Sequence, residues 1–384
     1  MNPNFKKIVN YIGSPKIFVY LVIWLMVLVV AGTLAQRDYG LYVAQQKYFS
    51  SWFLNGKEIP NWFSYPNYIF PSGRLIMTIM IINLSCYFLR PNIFKKSKIG
   101  ITIVHSGVVL LLLGGALTAI FSSEGSMVVE EGKQSNFIEN FYLKEFAIVN
   151  SSNKQFDEFT IFDQPLLKRN SILKDNNLPF KIRLLEYFDN VEAVPRLYVA
   201  DATFKGMAKN FTLNQKKNEK EFEKNIPGMF YEVIDLNDNV LGVYIAYMGQ
   251  PVTQTINIDD MEYSLILRRN RTYLPFYIHL NDFRKVMHPG TNIAKSYSSD
   301  ISLLENNVSR DILIKMNEPL RYKGYTFYQA SFIEGKLNDT SVLAVVKNYG
   351  RLFPYISSII MCFGLLVHMI LKISLRFKRI KSDS

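Results

Sequence analysis

The sequence predicts a membrane protein of the α+β class, with four transmembrane helices, three N-terminal and one C-terminal, and a large extracytoplasmic β-rich, sandwich-like domain inserted between helices three and four. Four long apolar segments lie near Ile17–Ala35, Leu75–Leu89, Ile99–Phe121 and Leu352–Ile373. The 384 residues are 49% hydrophobic and 14% aromatic, enough for a bilayer-crossing part and a folded core together. Between the third and fourth segments the pattern changes to short β-branched and aromatic runs separated by Gly, Pro, Asn and Asp. The expected domains are 1–121, a three-helix membrane part with an aromatic interfacial loop at 37–73; 122–351, the β-rich part; and 352–384, the last helix with a basic tail.

Crossing about 30 Å of hydrocarbon takes about 20 helical residues at about 1.5 Å each. The first segment has too long an apolar core for a cleavable leader, and its exit "AGTLAQRDYG" runs straight into an aromatic stretch, so it is expected to stay as an anchor. In that stretch, Gly40 to Gly73, Tyr42, Tyr48, Phe49, Trp52, Phe53, Trp62 and Phe63 suit the membrane–water boundary. The second segment is the shortest and contains Asn83 and Ser85. The third, with "IVHSGVVLLLLGGALTAI" at its centre, carries Gly100, Gly107 and Gly114 at seven-residue intervals; with Thr118 they form a small-residue stripe that lets another helix approach closely. At about 100° per residue His105 points away from that stripe.

Beyond it, "FTIF", "FKIRLLEYF", "VLGVYIAYM", "YSLILRRN", "YLPFYIHLNDF" and "SVLAVVKN" read as strands. The charged segment Leu213 to Asn225 reads as an exposed loop or short surface helix.

Lys6, Lys7 and Lys16 precede the first segment; Arg90, Lys95, Lys96 and Lys98 join the second to the third; Lys372, Arg376, Lys378, Arg379 and Lys381 follow the fourth. The positive-inside rule places all three clusters, and both termini, on the cytoplasmic side, with the β-rich region outside. Basic helix ends also account for much of the net charge of +12, which makes nucleic acid a poor partner and the lipid bilayer the expected one. Cys86 and Cys362 both fall within apolar segments, so the β-rich region can neither form a disulfide nor exchange one.

No HExxH, GxSxG, P-loop or GxGxxG pattern occurs, which argues against a self-contained hydrolase, zinc enzyme or nucleotide enzyme. His279 and His288 read as surface or loop residues. An ionisable group inside a span is costly and commonly meets a protein interior, a cavity or a ligand. His105 and His368 each lie roughly 8–9 Å from the cytoplasmic end of their segments. Similar depth on two helices is what two axial imidazoles need to hold one haem iron. The competing reading for His105 is a hydrogen bond to a carbonyl or hydroxyl of a neighbouring helix.

Five stretches together resemble the ResB/CcsB family of system II cytochrome c biogenesis: "GTLAQRDYGLYVAQQKYFSSWF"; "HSGVVLLLLGGALT" leading to "EGSMVVEEG"; "HLNDFRKVMHPGT"; "NEPLRYKGYTFYQASF"; and "VKNYGRLFPYI". The resemblance implies a bacterial cytoplasmic-membrane protein that works with a CcsA/ResC-type partner. Together the two would carry haem b across the membrane and present it for attachment to the CxxCH thiols of apocytochrome c, with this chain a non-catalytic or co-catalytic subunit of the haem lyase complex. With only Trp24, Trp52 and Trp62, the chain lacks the partner's tryptophan-rich segment and resembles the ResB half alone. By the same resemblance His105 matches the family's transmembrane haem ligand, while His368 as a second ligand rests on depth alone. Two other readings stay open at this stage: a membrane b-type cytochrome that carries electrons through His105 and His368, and a non-haem assembly factor whose β-rich domain docks clients.

Overall fold

The computed structural model describes residues 3–56, 68–90, 93–152, 156–197, 201–291 and 294–382, with side chains up to 373. Trp62 and Phe63 of the aromatic loop, and the side chains of Arg376, Lys378, Arg379 and Lys381, lie outside them. The chain divides into two compact units, residues 1–123 with 347–384, and residues 124–346.

The helical unit contains α1 (Pro3–Ile12), α2 (Pro15–Tyr39), α3 (Leu41–Gln45), α4 (Gly73–Phe88), α5 (Ile99–Phe121) and α6 (Phe353–Ser382), with a small hairpin of β1 (Phe53–Asn55) and β2 (Ile69–Pro71). Three stretches are long and apolar enough to cross a bilayer: Pro3–Tyr39, Ile99–Phe121 and Phe353–Ile373. The expected second span is the 16-residue α4, about 24 Å long and short of the hydrocarbon thickness by length alone.

Ser14 is extended ahead of Pro15, which has no N–H to continue a helix, so α1 and α2 separate there. The carbonyls this break exposes are taken by α4. Asn83 Nδ2 donates to the Ile12 carbonyl and, at 3.1 Å, to that of Ser14, and the Arg90 guanidinium donates to Gly13. At the other end of α4, buried Ser72 donates to the Tyr48 carbonyl at 2.6 Å, and Gly73 sits directly against the Phe49 backbone. The glycine stripe faces α6: a Cβ at Gly100 would lie 2.5 Å from the His368 nitrogen, at Gly107 2.5 Å from Met361 Cγ, and at Gly114 2.2 Å from Phe353 Cβ. Thr118 extends the seam by donating to Asn348 at 2.9 Å.

The second unit is almost entirely strand. Its elements are β3 (Ser123–Glu130), β4 (Gln134–Asn150), β5 (Glu158–Asp163), β6 (Ile172–Leu173), β7 (Phe180–Phe188), β8 (Val191–Pro195), β9 (Phe211–Gln215), β10 (Gly228–Asp235), β11 (Val240–Tyr247), β12 (Gln254–Ile258), β13 (Met261–Met287), β14 (Ala294–Glu305), β15 (Val308–Lys315), β16 (Leu320–Tyr322), β17 (Tyr325–Ile333) and β18 (Thr340–Lys347). A ten-stranded sheet runs β15-β14-β13-β4-β3-β18-β17-β16, with β12 and β5 beside β13 and β4; a four-stranded sheet runs β11-β10-β7-β6.

Two cores divide the unit. In the first, Phe146 and Leu265 of the large sheet meet Phe180, Ile182 and Tyr231 of the small one, which is a sandwich. In the second the large sheet curls on itself, so that Ile314 of β15, Phe327 of β17 and Ile278 of β13 share one interior.

The runs "YSLILRRN" and "YLPFYIHLNDF" are not separate strands but one, the 27-residue β13, which belongs to both cores. Its register against β4 shifts between Arg269 and Arg271 and again between Tyr273 and Ile278, and Pro275 falls in the second irregularity, where a missing N–H breaks no ladder bond. Leu213 to Gln215 is strand as well: it ends β9, and Leu213 packs in a satellite core with Val191 and Ile245. Glu131 joins two of the quoted motifs, accepting from the Phe283 amide at 2.7 Å and from that of Asp339 at 3.2 Å.

At the first shift of β13, Lys144 is buried. Burial pushes its ammonium down to about 8; Arg269 adds to the effect, while Glu139 and Glu223 oppose it. An unfolded lysine titrates near 10.4. The folded state therefore loses its proton first as pH rises, and stability increases between about pH 8 and 10.4; the gain is lost again as pH falls through 8. Lys144→Met is expected to be more stable than the parent at pH 7, with the gap closing by pH 10. Guanidinium midpoints at the two pH values check this.

Candidate functional site

His105 lies in the second turn of α5, on the flank away from α6. Its Nδ1–H donates to the Ile101 carbonyl at 2.8 Å, one turn back. That bond fixes the tautomer, leaving Nε2 with a free lone pair. Tyr87 of α4 covers the imidazole, the rings stacked with centroids 4.3 Å apart and planes 16° apart. The Tyr87 hydroxyl in turn meets Thr102 Oγ1 at 3.3 Å, and Thr102 donates to the Ile93 carbonyl at 2.8 Å, so the loop before α5 holds the stack in place.

A cavity of about 260 Å³ opens beside this pair, between the α1–α2 break, α4 and α5. Phe18, Leu84, Val104 and Val108 supply its apolar wall; Asn83, Tyr87, Arg90 and His105 supply its polar groups. Small-ligand sites commonly run from about 300 to 1,000 Å³, so this hollow lies just below the small end of that range. A histidine whose distal nitrogen is anchored to a carbonyl and whose other nitrogen is free is the usual arrangement of an iron-ligating imidazole, so the residues present fit a haem held from one side.

The two histidines singled out by depth are not brought onto one cavity. The His368 backbone abuts Gly100, five residues before His105 and on the seam side of α5, and His368 does not line the hollow beside His105. The competing reading of His105 asked for a carbonyl or hydroxyl of a neighbouring helix; the carbonyl it meets is on its own helix and engages Nδ1 alone. His288 is exposed in a turn, and His279 pairs with Asn281 at 3.0 Å on the surface of β13. Among the described residues no group of three His, Cys, Asp or Glu side chains is placed to hold a metal ion.

Sequence reasoning missed Tyr87 and treated Asn83 and Arg90 as a flaw in a span and a topology signal. A spacing of four sets Asn83 and Tyr87 on one face of α4, with Arg90 three residues further on, just past its end, and that pattern was the available signal.

Fold and site together define a multi-pass membrane protein that joins a helical bundle, with one imidazole open to a bundle cavity, to a large β-rich unit. Residues 242–348, which hold β12 to β18, match the ResB-like family model, and the stretches "HLNDFRKVMHPGT" and "NEPLRYKGYTFYQASF" fall within that match. The chain is also similar to Protein NrfI of Wolinella succinogenes, 23% identical over 325 residues that cover 80% of this chain and 32% of the relative. It thus spans about a third of that relative's length.

Proposed function

We propose that this chain is the ResB-type subunit of a system II cytochrome c biogenesis machinery, in which His105 receives haem within the membrane on its way to apocytochrome c. The observation that carries the reading is the anchored imidazole. Its Nδ1 is committed to Ile101, Tyr87 supports its ring, and Nε2 is free beside a cavity, in a chain with a ResB-like region. Bound haem would supply a ferrous or ferric iron for Nε2 and vinyl groups for later attachment to thiols. The chain's own part is to hold the ring, shield it with apolar helix faces and release it outward to a site that binds it better.

In this reading α4 is a fourth, short span, and both termini are cytoplasmic. The β-rich unit stands outside and docks a CcsA/ResC-type partner that would carry the attachment chemistry. An exposed edge of the ten-stranded sheet, such as β15, offers backbone groups for an extended apocytochrome segment. The electron-carrier alternative needs His105 and His368 to face one ring, and His368 does not line the cavity beside His105.

His105→Ala is expected to abolish the imidazole-ligated haem absorbance of the purified full-length chain and to lower haem affinity at least about tenfold, with added imidazole restoring the spectrum. An unchanged Soret band in the variant would sink the assignment.

A further inference from the structure

We infer that Arg90 forms a carboxylate subsite beside His105, gripping an acidic side group of the same planar ligand whose metal meets the imidazole. The inference rests on the reading of His105 as the haem-binding residue and extends it to the ligand's other end. Arg90 follows the C-terminal end of α4 and lines the cavity that His105 lines. One terminal nitrogen of its guanidinium is committed to the Gly13 carbonyl, while Nε is buried without a hydrogen-bond partner. Among the described residues no aspartate or glutamate lines this cavity. A guanidinium with its Nε–H buried and unspent, and no acidic side chain lining the cavity among the described residues, is an unfavourable arrangement. It is relieved when a ligand brings the anion, because a guanidinium grips a carboxylate in short charge-assisted bonds.

The rest of the cavity completes the match. Leu84, Val104 and Val108 give an apolar wall for a ring, and Tyr87 and His105 offer stacked ring edges beside it. The ligand class these groups fit is therefore a flat apolar macrocycle with a central metal and carboxylates along one edge. The acidic edge points to the Arg90 end of α4, which orients the ligand before any transfer. A phosphate from a lipid headgroup could meet the same guanidinium, and the test separates the two sources.

The experiment uses the purified full-length chain in detergent, titrated by fluorescence with iron-free protoporphyrin IX and with its dimethyl ester, whose carboxylates are blocked. The parent is expected to bind the free acid at least about tenfold more tightly than the ester. Arg90→Gln should bind both alike, at the parent's ester affinity, which doubles as the check that the cavity has kept its fold; Arg90→Lys, which keeps the charge and a donor for Gly13, should retain most of the preference. A parent that does not discriminate, as a lipid-filled subsite would give, overturns the inference. So does an Arg90→Gln variant that keeps the preference, or one that loses the ester as well, since the ester has no anion for Arg90 to meet. Haem itself, titrated into His105→Ala, reads the other claim separately: an unchanged iron spectrum with the acid preference intact removes the iron assignment and leaves the subsite. A parent that binds no porphyrin removes both.

Discussion

Glu145→Ala is expected to destabilise the β-rich unit by about 3–5 kcal/mol, the range for stranding one partner of a buried ion pair. Glu145 is fully buried and sits directly across the ladder from Arg268, whose Nε donates to it at 2.8 Å. The reason for a carboxylate there is the register shift next to it. Between Arg269 and Arg271 the partner strand β4 carries extra residues, running from Lys144 to Glu139 while β13 advances by two, and the Arg271 amide donates to Glu145 at 3.2 Å. Asn270, between them, donates to the same carboxylate oxygen at 3.0 Å and to Asp163 at 3.2 Å.

Removing the carboxylate therefore strands a buried cation, an amide and a side-chain donor at once, at the point where β13 passes from one core to the other. Near-UV circular dichroism of the buried tyrosines during thermal unfolding of the full-length chain should show Tm lower by roughly 6–20 °C for a domain of this size. Replacing Glu145 and Arg268 together with methionines should cost far less, because the pair's desolvation goes with its attraction. A single variant within about 1 kcal/mol of the parent would show that the cluster does not hold the junction.

Gly100→Ala is expected to destabilise the helical unit by about 2–3 kcal/mol, while the same change at Gly115 leaves it unchanged or improves it by up to about 1 kcal/mol. The added Cβ at Gly100 would meet the backbone of α6, 2.5 Å from the His368 nitrogen and 2.6 Å from its Cα, and backbone cannot rotate aside. At Gly115 nothing lies within 4 Å, so the methyl only improves helix propensity. In a bilayer close packing is the main force between helices, since lipid tails are as apolar as the side chains. Displacing α6 would also release the tight seam opposite His105, so the helix that carries the imidazole would lose its fixed orientation. Thermal unfolding of the two variants in one detergent decides the matter; equal melting temperatures would refute the seam.

Much of this architecture was legible because the signals are local. Apolar length marks α2, α5 and α6; the seven-residue glycine interval marks a packing face; β-branched runs mark β5, β7, β11 and β18. The division between an apolar helical part and a cysteine-free β-rich part follows from composition along the chain. Equal depth on two helices was a weaker guide. Depth measures position along an axis and says nothing of which way a side chain points, and His368 meets Gly100 through its backbone on the seam side while His105 stacks on Tyr87.

The single strand that crosses both cores was hidden for a similar reason. The two runs read as ending at Asn270 and starting at Tyr273, and the gap between them closes once the Arg271 amide is seen to be met by a carboxylate on β4.

By itself the sequence determined which segments suit lipid, which face of α5 can approach another helix and where an imidazole interrupts the apolar run, because these depend on spacing along one chain. Only the tertiary structure decided that Asn83 and Arg90 answer the open carbonyls at the α1–α2 break, that Tyr87 covers His105, and that a cavity without acidic side chains among the described residues lies beside them. Those facts join residues as much as 77 positions apart, and a hydrogen bond or a stacked ring is fixed by where chains meet in space rather than by the order in which they are written.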